Sequence, residues 1–396
     1  MTPRSEQELL AAYRDGLLTD TLPFWIPRAI DRECGGYLTA LGRDGAVLQT
    51  DKAVWVQGRF AWLLATLHRT VEPRQEWLDL ARHGIDFLQT HCFDADGRMF
   101  FWVTRDGRPL RKRRYLFSEC FAAIAMAAYG AVAGDDGCRA RAIELLRLVL
   151  RYHTDPALAQ PKVDPATRPM KGLAMPMILL VTAQELRGAG DDALCDRVVE
   201  ESIAEIERDF AKPDLGCVLE TVGPAGEFHD TFEGRMVCPG HSIEAGWFIL
   251  EESRRRGGDA RLTELGTRIV DWSLRIGWDA EHGGILYYRD ARGLPGAEYW
   301  HDMKFWWPHN EAIIATLLAH RLTGDARYAR WHAMVHDWAY AHFPDALHGE
   351  WYGYLHRDGS VSTPLKGNMW KGPFHLPRMQ WYCWQLLERG SGAGAW

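Results

Sequence analysis

The stretch Cys238-Pro-Gly-His-Ser-Ile-Glu-Ala-Gly-Trp-Phe248 sets a histidine and a glutamate three residues apart, after a Pro-Gly break and before an apolar run. On a helix that spacing puts His241 and Glu244 on one face. Three roles suit such a histidine: proton transfer near neutral pH, metal ligation, or a core position with its hydrogen bonds met. The pair matches no standard zinc signature. Two other stretches carry the same kinds of residue. Lys304-Phe-Trp-Trp-Pro-His-Asn-Glu-Ala312 holds Lys304, His309 and Glu311 beside Trp306 and Trp307, and Lys371-Gly-Pro-Phe-His-Leu-Pro-Arg378 holds His375 and Arg378. Arg59 in "DKAVWVQGR" and Glu119 in "YLFSEC" complete the set.

What could bring these residues together is a repeat in the turns. Glycines at 36, 97, 216, 284 and 349 each open a short aromatic or β-branched strand that ends in an Asp-Gly-type turn such as Arg43-Asp-Gly45, Arg105-Asp-Gly107, Arg289-Asp290 or Arg357-Asp-Gly359. This is the sequence form of a β-hairpin. The glycines lie 61, 119, 68 and 65 residues apart. The long gap is two periods with a Pro-rich loop, Asp155–Pro169, where a sixth turn belongs. Six units of roughly 60 to 65 residues follow.

Between turns come two helical stretches. The pairs are Lys52–Val71 with Arg74–Cys92, Tyr115–Ala133 with Cys138–His153, Lys171–Gly188 with Asp191–Phe210, His241–Arg256 with Ala260–Ile276, and Lys304–Thr323 with Ala326–Phe343. Lone helices at Glu6–Ala29 and Gly372–Arg389 make twelve. The first of each pair is apolar nearly all round, so it is buried; the second carries charge on one face, so it lies outside. The fold class is all-α, an (α/α)6 barrel (a six-hairpin toroid) with short β-hairpins at one end. No linker or composition shift divides residues 1–396, which read as one domain. Every hairpin precedes an inner helix, so the first turns of the inner helices converge at the hairpin end, where polar side chains are candidates for a site.

Composition narrows the function. No apolar run is long enough for a membrane span, and the first residues lack a secretory signal. A net charge of -7 with interspersed signs gives no basic stripe for nucleic acid. Eight scattered cysteines without a Cys-x-x-Cys pair read as reduced thiols of a cytoplasmic protein. Eighteen tryptophans suit sugar stacking or core packing.

His241 on the fourth inner helix and His375 on the sixth can face each other across a pocket. Two bases on opposite faces of a carbon α to a carbonyl can invert it by proton transfer. Arg59 could stabilise the enolate oxygen, Glu244 or Glu311 could orient an imidazole, and a helix N-terminus favours a neutral base. Trp306, Trp307, Glu119 and Arg378 are candidate substrate contacts. The blander readings are a core histidine for His241, a solvated helix start for Lys304, a turn role for His309 and core packing for the tryptophans. The loop Gly367–Gly372, "GNMWKG", lacks the phosphate-loop pattern.

At these residues the sequence resembles the N-acylglucosamine 2-epimerase family, whose mammalian members are also known as renin-binding protein. The segments that carry the likeness are "CGGYLTALGRDG", "TDKAVWVQGR", "FSECF", "RPMKGLAMPMILL", "GRMVCPGHSIEAGWF", "MKFWWPHNEAI" and "GEWYGYLHRDGSV" with "KGPFHLPR". The resemblance implies an (α/α)6 barrel that interconverts N-acetyl-D-glucosamine and N-acetyl-D-mannosamine at C2. It places the catalytic pair on His241 and His375 and supporting roles on Arg59, Glu244 and Glu311. It also implies no required cofactor or metal, ATP as an unconsumed activator, and a homodimer. Relatives acting on cellobiose or mannose carry a further histidine on the third inner helix, where this chain reads Met175-Pro-Met-Ile-Leu179. The loop "KGNMWKGPFH" departs from a glycine-richer family pattern. The alternatives are an epimerase or isomerase of unacetylated sugars, a glycoside hydrolase using Glu244 and Glu311, and a protein-binding module.

Overall fold

A computed structural model describes residues 4–155, 157–158 and 164–389. Its helices are α1 (Glu6–Asp15), α2 (Leu22–Ala29), α3 (Val54–Thr70), α4 (Gln75–His91), α5 (Phe117–Ala133), α6 (Asp136–Thr154), α7 (Ala174–Leu186), α8 (Asp192–Glu205), α9 (Pro239–Arg255), α10 (Ala260–Gly277), α11 (Trp306–Thr323), α12 (Ala326–His342) and α13 (His375–Arg389). A π-helical stretch, Gly16–Thr21, joins α1 to α2, so the single helix expected at the N-terminal end is continuous but locally widened.

Helices α3, α5, α7, α9, α11 and α13 pack side by side in sequence, and α13 returns to α3. Around this ring α4, α6, α8, α10 and α12 each lie on the helix before them, and α1 lies on α13. The result is the (α/α)6 barrel expected from the repeat. Residue chemistry explains the division. In α3 the run Val54-Trp-Val-Gln-Gly58 and Phe60–Leu67 is buried on every side, whereas α4 buries only Trp77, Leu80, Ala81, Gly84, Ile85, Phe87 and Leu88. Aspartates 135, 191, 259 and 325 cap outer helices by accepting from a backbone N–H of the first turn. The inner helices α3, α5, α7, α9 and α11 have no side-chain cap. Four of them, α3, α7, α9 and α11, follow short strands instead.

Those strands tie the ring together. Lys52–Ala53 pairs with Trp102–Val103, Lys171–Gly172 with Thr221–Val222, and Lys304–Phe305 with Tyr354–Leu355. Helices α3 and α11 therefore begin two residues later than expected, because ladder pairing takes residues 52–53 and 304–305. Hairpins form at 40–49, 102–111, 211–218 and 354–363. The fifth expected hairpin does not close on itself: Arg289–Asp290 pairs with Met236–Val237. Gly293, Pro295 and Gly296 follow it, and such a segment supplies no return strand. The sixth turn, in 155–169, falls partly outside the described residues.

A three-residue clamp repeats around the hairpin end. Asp31 accepts from Lys52 Nζ at 2.8 Å and from Arg105 Nε and Nη2, each at 2.8 Å. Asp279 holds Lys304 at 3.1 Å and Arg357 at 2.9 and 3.2 Å. Asp345 holds Lys366 at 3.1 Å and Arg43 at 2.7 and 3.0 Å. In each clamp the arginine opens the Arg-Asp-Gly turn of the next unit. Lys304 is thus fully buried in an ion pair, not a solvated helix start. Burial opposes the charge on Asp31 and Asp279, but their cationic partners hold both carboxyls far below the usual range. A carboxyl depressed in the folded state adds stability above its unfolded pKa of about 4 and loses it as pH falls below that value. Unfolding free energy is therefore expected to fall steeply below about pH 4. Asp31→Asn, which leaves Lys52 buried without its counter-charge, is expected to cost about 3–5 kcal/mol at neutral pH. Urea titrations check both, and an unshifted Asp31→Asn midpoint would contradict the clamp's role.

All eight cysteines are free thiols. Among the described residues no helix is long and apolar enough to cross a membrane.

Candidate active site

A cavity of about 1380 Å³ opens at the hairpin end, among the first turns of the inner helices, and runs on to Gln184 and Arg255 near the C-terminal turns of α7 and α9. His241, Glu244, Arg59, Trp306, Trp307, His375 and Arg378 all line it.

His241 lies in the first turn of α9. Pro239 opens that helix, and its fixed φ suits the first helical position. The neighbouring Gly240 is required by packing: a Cβ there would lie 2.5 Å from the Trp307 ring. His241 Nδ1 is 3.0 Å from both carboxylate oxygens of Glu220. Glu220 sits in the turn between Val218 and Thr221. Its N–H donates to Met236 O at 2.9 Å, and its carbonyl accepts from Leu173 N at 3.0 Å, so the lead-ins to α7 and α9 pin it. Burial alone would strip the proton from His241, but Cys238 and the Glu220 carboxylate outweigh it and hold the imidazole pKa well above its ordinary value. Glu220→Gln is expected to move the His241 titration downward. NMR of the imidazole checks this, and an unmoved titration would remove Glu220 as the cause.

His375 opens α13. Its Nδ1 donates to Glu311 Oε1 at 2.7 Å, and Arg378 Nη2 donates to the same oxygen at 2.6 Å and to Glu244 Oε1 at 2.8 Å. Trp247 Nε1 donates to Glu311 Oε2 at 2.8 Å. Burial, then the Arg378 and Arg59 charges, drive the His375 pKa well below the ordinary range. His375 is thus held neutral by burial and the two arginines, whereas at His241, against the expectation of a neutral base at a helix start, Cys238 and Glu220 keep the proton. The Trp307 ring adjoins both, with its centroid 5.0 Å from His241 and 5.7 Å from His375.

Arg59 projects from α3 into an aromatic nest, 4.2 Å from the Phe121 centroid and 4.7 Å from Phe374. Burial lowers its pKa to about 9, which leaves it a cation at neutral pH. Among the described residues it makes no ion pair. Arg59 Nε, Arg378 Nε, Trp55 Nε1 and Trp306 Nε1 are buried donors without a partner, and all four residues line the cavity. Such a lining suits a ligand rich in oxygen acceptors.

Glu119 does not belong here. Its Oε1 accepts from Arg98 Nε at 2.5 Å and from Met99 N at 2.9 Å, so it braces the 97–107 hairpin. His309 is a core residue, its Nε2 accepting from Ile285 N at 2.9 Å and its ring stacked on Trp338; burial pushes its pKa down to about 3. In "GNMWKG" the Lys371 ammonium is buried against Glu350 and the Lys366 carbonyl, so the loop turns its cation inward. The glutamate that reading by helices misses is Glu220, which stands in a turn outside any periodic pattern.

Solved structures define the class of fold. The cellobiose 2-epimerase of Bacillus thermoamylovorans superposes with a TM-score of 0.84 at 19% identity, over 97% of this chain and 100% of that one. Sequence narrows this to a family. The family model "N-acylglucosamine 2-epimerase (GlcNAc 2-epimerase)" matches residues 36–375. The N-acylglucosamine 2-epimerase of Bos taurus is 38% identical over 398 residues, covering 97% of this chain and 93% of its own. That of Homo sapiens is 35% identical over 399 residues, covering 96% and 92%. The chain belongs to the N-acylglucosamine 2-epimerase family.

Proposed function

We propose that the chain interconverts N-acetyl-D-glucosamine and N-acetyl-D-mannosamine, with His375 and His241 as the two bases. The observation that carries this is the pair of histidine–carboxylate dyads of opposite protonation that border Trp307 in one cavity. With Nδ1–H of His375 donating to Glu311, its Nε2 lone pair is free to take the C2 proton of the open-chain sugar. The C2–H electron pair moves into C1–C2, and the carbonyl electrons move onto O1. Arg59, a cation without a carboxylate partner, is placed to stabilise that oxyanion. His241, protonated through Glu220, returns a proton to the opposite face of C2. The reverse reaction runs with the protonation states exchanged.

Family membership and the relatives' names support the N-acyl sugar over unacetylated ones. A hydrolase using Glu244 and Glu311 is disfavoured because both carboxylates are engaged by Arg378, at 2.8 and 2.6 Å, and Glu311 is fully buried. N-acetylmannosamine in D2O, followed by NMR, is expected to yield the C2 epimer carrying solvent deuterium at C2. Epimerisation without label uptake would sink the two-base step, and turnover of mannose or cellobiose alone would shift the substrate. The same experiment with and without ATP tests an unconsumed activator, and light scattering tests the homodimer.

A further inference from the structure

We infer that Glu220, Cys238 and His241 form an inhibitory binding site for a borderline divalent cation of the Zn2+ type. One carboxylate oxygen, the thiol sulfur and one imidazole nitrogen lie within 4.8 Å of one another. Tetrahedral ligands at about 2.0–2.3 Å from zinc stand roughly 3.5 Å apart, so a small inward rotation of the side chains completes the geometry. Sulfur, imidazole and carboxylate together select zinc or copper over magnesium or calcium.

Three features distinguish this trio from an incidental cluster. Its backbone is held: Glu220 is pinned through Met236 and Leu173, while Cys238 caps α9 beside Pro239. The Cys238 side chain is fully buried, whereas Glu220 and His241 keep 14% and 26% of theirs exposed along the cavity. That leaves the fourth coordination position facing the chamber, as in open zinc sites. Finally, among the described residues the Glu220 carboxylate has no lysine or arginine partner, its one ion pair being to His241. The neighbouring trio Glu244, Glu311 and His375 is also close enough for a metal, but Arg378 already supplies the cation there.

Binding takes Cys238 as the thiolate and displaces the proton that His241 shares with Glu220. It converts the imidazolium into a metal ligand that has no proton to give. The inhibitory half rests on the role proposed for His241; the binding half does not.

The chain, stripped with EDTA, is titrated with Co2+ and Zn2+. One equivalent of Co2+ is expected to produce a thiolate-to-cobalt charge-transfer band in the near ultraviolet, which Zn2+ abolishes. Zn2+ should also arrest C2 exchange reversibly. Cys238→Ser should lose the band and require at least tenfold more Zn2+ to halve its own metal-free turnover. His241→Asn, monitored for folding by circular dichroism, should lose the band as well and serves if Cys238→Ser does not fold. Absence of a band, or a band that survives both variants, overturns the site. Metal binding at this trio with undiminished turnover overturns the inhibition and, separately, the role given to His241.

Discussion

His375→Asn is expected to lower epimerisation by about 10²- to 10⁴-fold, the range for loss of a positioned acid or base, and His241→Asn should do the same. At the middle of that range the loss corresponds to about 4 kcal/mol of transition-state stabilisation. Each substitution keeps a polar planar group of similar size, so the barrel should stay folded. The informative readout is asymmetric. With His375 removed, His241 still faces C2 from its own side and can exchange the C2 hydrogen of one epimer without converting it. With His241 removed, His375 does so for the other epimer. Deuterium exchange into a single epimer, reversed between the two variants, is the expected signature. Equal exchange into both epimers by either variant would mean that one base serves both faces, and the two-base assignment would fall.

The second large effect is expected at Glu311, which is fully buried and accepts from three donors, His375, Arg378 and Trp247. Glu311→Gln preserves the shape but turns an NH2 group toward donors and removes a charge that offsets Arg378. Breaking a buried ion pair on one side costs about 3–5 kcal/mol, so the denaturant midpoint should drop. The amide also loses the carboxylate that fixes the His375 tautomer. In triads the comparable change lowers kcat by about 10⁴-fold, and a loss of 10²-fold or more is expected here. Turnover measured on the folded fraction separates the two effects. Full kcat in a destabilised variant would mean that Glu311 serves stability alone. Because Glu244 still holds Arg378 at 2.8 Å, the double variant Glu244→Gln/Glu311→Gln should be worse than either single change.

The barrel was legible in the sequence because a six-fold repeat states its period many times, so individual boundary errors do not matter. The alternation of α3-like and α4-like helices follows directly from which faces are apolar. The histidine pair was legible because both residues sit in the first turns of inner helices, where the hairpin-end cavity meets an otherwise apolar helix. The same rule misplaced Glu119, which occupies an equivalent first turn but folds back onto Arg98. Sequence gives the turn a residue occupies, not which neighbour its side chain meets. Glu220 was missed for the converse reason, since a turn residue has no periodicity to betray a function. The clamps were half visible: the recurring Arg-Asp-Gly turns could be read, but the pairing of each arginine with an aspartate of the preceding unit arises only when one unit packs against the next.

Arg43 and Asp345 are 302 residues apart, yet they complete the same clamp that joins neighbours elsewhere. A growing chain can settle its early units one against the next as each leaves the ribosome, because those contacts are local in sequence. The last seam has to wait until the opposite end arrives. Closing so long a loop is an entropic hurdle paid at one moment, and it raises the contact order of the final step well above that of the steps before it. Until that moment the flanks of α3 and α13 are open, apolar and able to meet another chain's flanks. The seam between the first and last units is therefore where this protein is most exposed to domain-swapped assembly during synthesis.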